Sequence, residues 1–261
     1  MQKFISSENS DISEQGDDGV EIAYEVFGQG APILLIHGFA SNGRINWASP
    51  GWIKFLTELG RQVIVIDNRG HGESEKLYDP EKYGAQEMAE DAKRLLDHLG
   101  LERVDVMGYS MGARIAAFLA IYHPERVRSA IFAGMAYNMV RGFGRGDAIA
   151  NALAADDESE IEGAEPKAFR RFAIKTGSDL KALSACMLST GHKITFEMLG
   201  TIKSPVLVVA GDADDVAGPI EPLVEAIPDA IGVSLPGKDH MNAVGDKGYK
   251  QAVEKFLSSI V

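Results

Sequence analysis

Short runs of aliphatic and β-branched residues recur along the chain and predict buried β-strands. Most of these runs lack alternating polar residues, which is typical of parallel strands that helices cover on both faces. The first run differs, because Val20, Ile22 and Tyr24 alternate with polar residues and follow a turn-forming sequence at residues 16–19. The predicted strands are residues 20–27, 32–36, 62–66, 103–107, 127–133, 206–210 and 231–235. We therefore expect a mostly parallel sheet that opens with an antiparallel strand.

Segments with helical periodicity alternate with these strands. They are residues 50–59, 85–99, 111–122, 220–226 and 247–260. Gly60 and Gly100 follow the first two segments, in the position where glycine commonly ends a helix. Strands that alternate with helices predict right-handed crossovers, and hence an α/β fold with a doubly wound, mostly parallel sheet.

One long stretch, residues 136–203, interrupts this alternation. It contains no clear strand, and short helices are predicted at residues 148–153, 166–175, 179–188 and 195–199. Because the stretch lies between two predicted strands, we expect a small helical cap over the carboxyl edge of the sheet, where open α/β sheets bind ligands. The expected organisation is a core of residues 1–135 and 204–261, with the cap of residues 136–203 inserted before the penultimate core strand.

Composition and charge narrow the possible partners. The chain has 261 residues, with 26 Lys and Arg against 38 Asp and Glu, so its formal net charge is −12. This charge disfavours nucleic acid and anionic membrane surfaces as partners. Cys186 is the only cysteine, and no histidine cluster predicts a metal, so we expect neither a disulfide, a metal nor a cofactor. Without a signal peptide pattern or a run of ~18 apolar residues, we expect a cytoplasmic protein with a small-molecule substrate.

The strongest chemical signal is the sequence Gly108-Tyr109-Ser110-Met111-Gly112. It matches the pattern G-x-S-x-G between a predicted strand and a predicted helix, the context in which this pattern presents a nucleophilic serine. The turn around such a serine is sharp and crowded, which explains a glycine two residues away on each side. We therefore expect Ser110 to be a nucleophile.

A serine nucleophile needs a base that an acid orients. His240 is the only histidine after the last predicted strand, and Asp214 follows the strand before it, which gives the chain order Ser, Asp, His. Asp212 and Asp215 remain alternatives to Asp214, or could cap the next helix. The histidines expected to be structural or solvated are His71, His98, His123 and His192.

Residues 37–39 directly follow a predicted strand, where backbone N–H groups can face the charge that develops on a tetrahedral intermediate. We expect the N–H groups of Phe39 and Met111 to form this oxyanion hole. His37, beside Gly38, is better explained as part of this loop than as a catalytic base.

Four residues are candidates for contact with the substrate: His37, Tyr109, Arg141 and Phe143. Arg141 and Arg145 could bind a substrate carboxylate, although arginines in a glycine-rich segment are commonly solvated. This segment, residues 142–146, follows no strand directly and lacks the lysine of a phosphate-binding loop, so a hinge into the cap is the simpler interpretation. Apolar residues that could line an acyl pocket, or only pack the cap helices, are Phe169, Phe172, Met187 and Met198.

Taken together, these motifs show that the chain resembles the α/β-hydrolase superfamily over nearly its whole length. The matching pieces are residues 37–39, residues 67–74, which are similar to the family's D-x-R-G-x-G-x-S turn, residues 108–112, 123–127 and 211–214, and His240. The resemblance implies a nucleophile, an acid and a base at Ser110, Asp214 and His240. One departure is Lys238-Asp239-His240, where relatives often have Gly-His or Gly-x-His, and this affects the fine geometry of that loop. The most similar subgroup is that of small-capped esterases, lactonases and cofactor-free perhydrolase-like proteins.

The sequence therefore predicts a serine hydrolase that acts on a carboxylic ester, lactone or thioester of a small to medium molecule. The same three residues could also serve acyl transfer, carbon–carbon bond hydrolysis or cofactor-free perhydrolase and haloperoxidase chemistry. Epoxide hydrolysis and haloalkane dehalogenation are disfavoured, because both need an aspartate nucleophile where this chain has Ser110. A ligand receptor that keeps the fold is the alternative outside catalysis.

Overall fold

The computed structural model describes residues 1–7, 19–142, 146–189 and 193–260. The strands are β1 (Gln2–Ser6), β2 (Val20–Phe27), β3 (Ala31–Ile36), β4 (Arg61–Ile66), β5 (Val104–Tyr109), β6 (Val127–Ala133), β7 (Val206–Gly211) and β8 (Ile231–Leu235). They form one sheet in the order β1-β2-β4-β3-β5-β6-β7-β8. β2 pairs antiparallel with β1 and β4, and all pairs from β4 to β8 are parallel. The predicted α/β fold with a mostly parallel sheet is confirmed.

Helices cover both faces of this sheet. They are α1 (Trp52–Glu58), α2 (Ala85–His98), α3 (Met111–Tyr122), α4 (Asn138–Arg141), α5 (Gly146–Ala154), α6 (Ala164–Lys175), α7 (Leu180–Leu188), α8 (Phe196–Leu199), α9 (Glu221–Ala226) and α10 (Lys247–Ser259). On one face α1 and α10 pack against Ile33 and Leu35, and on the other α2, α3 and α9 pack against Leu34 and Ile36. Because successive residues of β3 are buried on opposite faces, the sequence of this strand shows no polar alternation.

The sequence analysis missed one edge strand of the sheet, β1, whereas the other edge strand, β8, has the predicted bounds. β1 was not among the predicted strands, since its five residues are largely polar and only Phe4 and Ser6 are buried. Its pairing with β2 and the stacking of Phe4 on His98, with ring centroids 5.3 Å apart, hold it in place. β8 is the other edge strand, and Leu235 is its only buried residue. The turn predicted at residues 16–19 lies, apart from Gly19, outside the described residues.

Between β6 and β7 the chain forms the helices α4 to α8. Of these, α5, α6 and α7 pack on one another through a small apolar cluster that contains Ile149, Ala173 and Leu183. Met139 of α4 and Leu199 of α8 instead join the main core. The short helix α4 was not predicted, because one helical turn is too short to show a periodic pattern.

In the described ranges, none of the helices is long and apolar enough to cross a membrane.

Candidate active site

Ser110 occupies the sharp turn between β5 and α3. Its backbone has φ 56° and ψ −118°, a left-handed conformation that is strained for a residue with a side chain. Gly108 and Gly112 allow the turn because a Cβ on Gly108 would lie 2.1 Å from the Gly112 oxygen, and one on Gly112 would lie 2.0 Å from the Ile36 oxygen. The turn therefore places the Ser110 side chain at the carboxyl edge of the sheet and at the N-terminus of α3.

His240 and Asp214 lie beside this serine. His240 Nε2 is 3.0 Å from Ser110 Oγ, and His240 Nδ1 is 3.0 and 2.9 Å from the two carboxylate oxygens of Asp214. Asp214 is buried and also accepts hydrogen bonds from the backbone N–H groups of Val216 and Ala217, at 3.0 and 2.9 Å. With the ring Nδ1 donating to a carboxylate, Nε2 is left as the acceptor that faces the serine hydroxyl.

The structure distinguishes among the three aspartates after β7. Asp214 contacts His240, whereas the Asp212 carboxylate accepts the backbone N–H of Gly237 at 2.6 Å and Asp215 is exposed. Of the three carboxylates, only that of Asp214 is therefore placed to orient His240.

Tyr109 supports the loop that carries His240. Its hydroxyl donates to the His240 carbonyl oxygen at 2.6 Å, and the two rings are 5.4 Å apart. The side chain is buried, and this burial raises the pKa of the phenol far above its usual value, so the hydroxyl stays protonated. Tyr109, predicted as a substrate contact, thus also positions His240 through its backbone.

The predicted oxyanion loop packs directly on the serine. A Cβ on Gly38 would lie only 3.2 Å from Ser110 Cβ, which places the next residue, Phe39, at the site. Met111 is the first residue of α3, so its N–H has no partner within the helix. In the described part of the chain, neither the Phe39 nor the Met111 N–H donates to another backbone group outside a regular element. Both N–H groups therefore remain candidates for the predicted oxyanion hole.

Asn46 is a site residue that the sequence analysis missed. It lies in a short helical turn at Arg44–Ala48, and its Oδ1 accepts the backbone N–H of Gly38 at 3.0 Å. Its Nδ2 is buried without a hydrogen-bond partner among the described residues, and Asn46 lines the cavity at Ser110. No motif marks this asparagine in the sequence, because its importance depends on where the turn folds.

His37 lies behind the oxyanion loop rather than in contact with a substrate. Its Nδ1 donates to the Gly38 carbonyl at 2.7 Å, and its Nε2 accepts the backbone N–H of Asn68 at 3.0 Å. Complete burial lowers the pKa of His37 to about 4. The neighbouring His71, with its ring 5.3 Å away, is equally buried, and burial and His37 lower its pKa to about 3. Both rings are therefore neutral at neutral pH.

Two cavities reach Ser110. The larger, of about 520 Å³, is lined by Ser110 and His240 together with apolar side chains that include Phe39, Phe169, Phe172 and Val244. The smaller, of about 310 Å³, is lined by Ser110, Arg114 and several methionines. The site thus has room for a group on each side of the serine.

Arg141 is not brought to Ser110 by the structure. Arg141 is exposed and lines a different cavity, of about 460 Å³, together with Asp212, Asp214 and Asp215. Neither Ser110 nor His240 belongs to the described lining of that cavity. Phe143, Arg145 and His192 lie outside the described residues.

Where residues are described, no group of three or more His, Cys, Asp and Glu side chains could hold a metal ion.

A family model described as the alpha/beta hydrolase fold matches residues 31–193. The match spans more than half of the chain, so the chain belongs to the α/β-hydrolase superfamily. Ser110 lies within the matched residues, whereas Asp214 and His240 follow them in the chain.

Relatives with similar sequences are named for several different enzyme activities. A non-heme chloroperoxidase of Kitasatospora aureofaciens is 36% identical over 115 residues, which are 44% of this chain and 40% of that protein. A 2-hydroxymuconate semialdehyde hydrolase of a Pseudomonas species is 40% identical over 42% of this chain and 38% of that protein. An epoxide hydrolase of Siraitia grosvenorii is 30% identical over 44% of this chain and 35% of that protein. The matches span about two-fifths of each relative's length.

Solved structures resemble the whole chain. A hydrolase from Pseudomonas aeruginosa has a TM-score of 0.78 and 24% identity, with 98% of each chain covered. An esterase from Exiguobacterium antarcticum has a TM-score of 0.78 and 22% identity, with 99% of this chain and 100% of that chain covered. At these identities the likeness shows a shared fold.

Proposed function

We propose that this chain is a serine hydrolase that cleaves a carboxylic ester, lactone or thioester of a small to medium molecule through an acyl-enzyme on Ser110. The observation that carries the proposal is the continuous line of contacts from Ser110 Oγ to His240 Nε2, at 3.0 Å, and from His240 Nδ1 to Asp214, at 2.9 Å. These are the distances at which a base can take a proton from a serine and an acid can orient that base.

In the proposed mechanism, Ser110 attacks the substrate carbonyl while His240 Nε2 accepts the serine proton. Asp214 stabilises the imidazolium that results. His240 then returns the proton to the leaving group as the tetrahedral intermediate collapses to the acyl-enzyme. Water, activated in turn by His240, hydrolyses the acyl-enzyme and releases the acid.

The N–H groups of Phe39 and Met111 would stabilise the negative charge on the carbonyl oxygen in both tetrahedral intermediates. Loss of one such donor typically costs about 2.7–4 kcal/mol of transition-state stabilisation. The proposal is supported by position, because Phe39 follows Gly38, which lies against Ser110, and Met111 follows Ser110 at the start of α3.

We further propose that residues 136–203 act as a cap over this site. Phe169 and Phe172, both on α6, line the larger cavity at Ser110, so the insert contributes directly to its apolar wall. A cavity of about 520 Å³ fits a small-molecule substrate with an apolar group next to the scissile bond.

The test is hydrolysis of 4-nitrophenyl esters with acyl chains of increasing length, followed through both the burst and the steady state. Replacement of Ser110 by Ala should lower kcat by on the order of 10⁴ or more, because it removes the nucleophile. Ser204→Ala is the matched control, since it removes a buried hydroxyl that lines none of the cavities at Ser110.

Turnover that persists in Ser110→Ala would contradict the mechanism. A burst without sustained turnover in the wild-type protein would favour the receptor alternative. Loss of activity in Ser204→Ala as well would show that the assay reports protein folding rather than the nucleophile.

Carbon–carbon bond hydrolysis and perhydrolysis form a second candidate, which the names of the chloroperoxidase and the semialdehyde hydrolase favour. Each would use the same three residues, with a carbon leaving group in one case and hydrogen peroxide in place of water in the other. Product analysis after incubation with a vinylogous diketone acid, or with an ester and peroxide, separates these outcomes. Epoxide hydrolysis fits less well, because the nucleophile position holds Ser110 and not an aspartate.

A further inference from the structure

The two cavities that meet at Ser110 differ in charge. Both share Phe39, Phe169 and Ser110, but the larger one includes His240 and the carboxylate residue Glu165. The smaller one includes the cations Arg114 and Lys193, and no Asp or Glu is found among the described residues that line it. The two cavities therefore present different ionisable side chains to a substrate that fills both.

Arg114 is held close to the nucleophile by the geometry of α3. It lies four residues after Ser110, a rise of about 6 Å along the helix, and its backbone N–H donates to the Ser110 carbonyl at 3.3 Å. The guanidinium Cζ lies 5.9 Å from the centroid of the Phe118 ring, and Arg114 lines the smaller cavity together with Ser110. Arg114 Nη1 donates to the Met139 carbonyl at 3.2 Å, which anchors the guanidinium between α3 and α4.

The surroundings of this guanidinium strengthen its attraction for an anion. The same cavity is lined by the apolar side chains of Met88, Met111, Met135 and Met187. Electrostatic attraction is stronger in such a medium than in water. Burial lowers the pKa of Arg114 from its usual value, yet an arginine remains protonated at neutral pH.

The position of His240 assigns the two halves of the substrate to the two cavities. The leaving group must receive a proton from His240 Nε2, so it lies on the side of the serine where His240 is found. Of the two cavities, the larger is the one whose described lining includes His240. The acyl part is then left to the smaller cavity, with Arg114.

We propose that Arg114 binds a carboxylate on the acyl part of the substrate, so that the chain cleaves monoesters or monothioesters of dicarboxylic acids with an apolar leaving group. This inference rests on the proposed serine hydrolase function. It replaces Arg141 as the expected carboxylate ligand, because the described lining of the cavity at Arg141 does not include Ser110.

The test compares mono-4-nitrophenyl glutarate with 4-nitrophenyl pentanoate, whose acyl chains have the same length and differ in the terminal carboxylate. After subtraction of the uncatalysed rate, kcat/KM of the wild-type protein should be higher for the glutarate by about tenfold to hundredfold, the usual effect of a charged hydrogen bond. In Arg114→Gln this ratio should fall to about one, and Arg114→Lys should keep part of it.

Arg171→Gln is the matched control, since Arg171 is exposed, pairs with Glu158 at 3.0 Å and lines neither cavity at Ser110. It should keep the wild-type ratio. The inference would be overturned if the wild-type protein had nearly the same kcat/KM for the glutarate and the pentanoate. It would also be overturned if Arg141→Gln lost the preference for the glutarate and Arg114→Gln kept it. An Arg114-dependent preference for 4-(pentanoyloxy)benzoate, which carries its carboxylate on the leaving group, would overturn the assignment of the two cavities.

Binding to the inactive Ser110→Ala protein separates this inference from the proposed function. Calorimetry should show tighter binding of monomethyl glutarate than of methyl pentanoate, by about tenfold or more, and Ser110→Ala/Arg114→Gln should lose the difference. If neither nitrophenyl ester is hydrolysed but this difference is found, the proposed function fails and the anion site stands. If the esters are hydrolysed and the difference is absent, the anion site fails. Thermal melting of each variant checks that it is folded.

Discussion

At the scale of single residues, Asn46 connects the oxyanion loop to the rest of the site. Its Oδ1 accepts the N–H of Gly38, the residue before Phe39, at 3.0 Å. The carbonyl of Gly38 accepts hydrogen bonds from His37 Nδ1 at 2.7 Å and from the Ser41 N–H at 3.3 Å. Asn46 thus holds the peptide that precedes Gly38, and the peptide that carries the Phe39 N–H is the next one in this loop.

Replacement of Asn46 by Ala should lower kcat for 4-nitrophenyl esters by about tenfold to hundredfold, because a small misplacement of a catalytic group has an effect of this size. KM should change less, since the hydrogen bond acts on the transition state through Phe39. Asn46→Asp keeps an acceptor for Gly38 and should retain more activity than Asn46→Ala. An equal loss in both variants, or a change in KM alone, would speak against this positioning role.

At the scale of secondary structure elements, β5 joins the nucleophile to a charged cluster at its other end. Asp105 is completely buried near the start of β5, and its carboxylate accepts hydrogen bonds from Arg61 at 2.7 Å and from Ser129 at 2.7 Å, and also pairs with Arg128. These partners come from β4 and β6, so one carboxylate connects three strands. Ser110 follows the opposite end of the same strand.

Asp105→Asn should lower the free energy of unfolding by about 3–5 kcal/mol. The change removes the negative charge and leaves the partly buried positive charges of Arg61 and Arg128 uncompensated. The kcat of the folded protein should be close to that of the wild type, since the change lies at the end of β5 remote from Ser110. Urea unfolding and ester hydrolysis measure the two quantities. Asp156→Asn makes the same change of charge at an exposed position and should leave stability within about 0.5 kcal/mol. A stable Asp105→Asn protein with low kcat would contradict this separation of roles.

At the scale of the whole molecule, burial on both faces of the sheet extends to ionisable groups. His37 and His71 are fully buried, and burial lowers their pKa values to about 4 and about 3. In the unfolded chain a histidine has a pKa near 6.5. As the pH falls below about 6.5, the unfolded chain therefore takes up protons that the folded protein does not. Stability must consequently decrease on acidification in this range.

We expect each of these histidines to contribute a loss of about 1.4 kcal/mol for each pH unit between roughly pH 6 and the pKa of the folded state. His71→Asn keeps a donor for the Arg69 carbonyl. It should reduce the slope of the unfolding free energy against pH by about 1.4 kcal/mol per pH unit, the contribution of one histidine. The measurement is urea unfolding at several values between pH 7 and 5, and an unchanged slope in His71→Asn would refute the assignment.

The sequence alone was sufficient for most elements of the fold. β2, β6, β8 and α3 have the predicted bounds, because runs of apolar residues and helical periodicity are local signals within one element. β1 escaped prediction because its order comes from pairing with β2 and from Phe4 against His98, which are contacts between distant parts of the chain. α4 escaped because it is only one turn long.

The site divides in the same way. The sequence by itself determined the turn at Ser110, the loop at residues 37–39 and the late position of His240, because each depends on a few neighbouring residues and the strand that they follow. Only the tertiary structure placed Asp214, of three nearby aspartates, against His240, joined Asn46 to Gly38 and put Arg114 rather than Arg141 in the lining of a cavity that includes Ser110. Ser110 and His240 are 130 residues apart in the chain, and such contacts follow from the parallel alignment of strands whose carboxyl ends meet at one edge of the sheet.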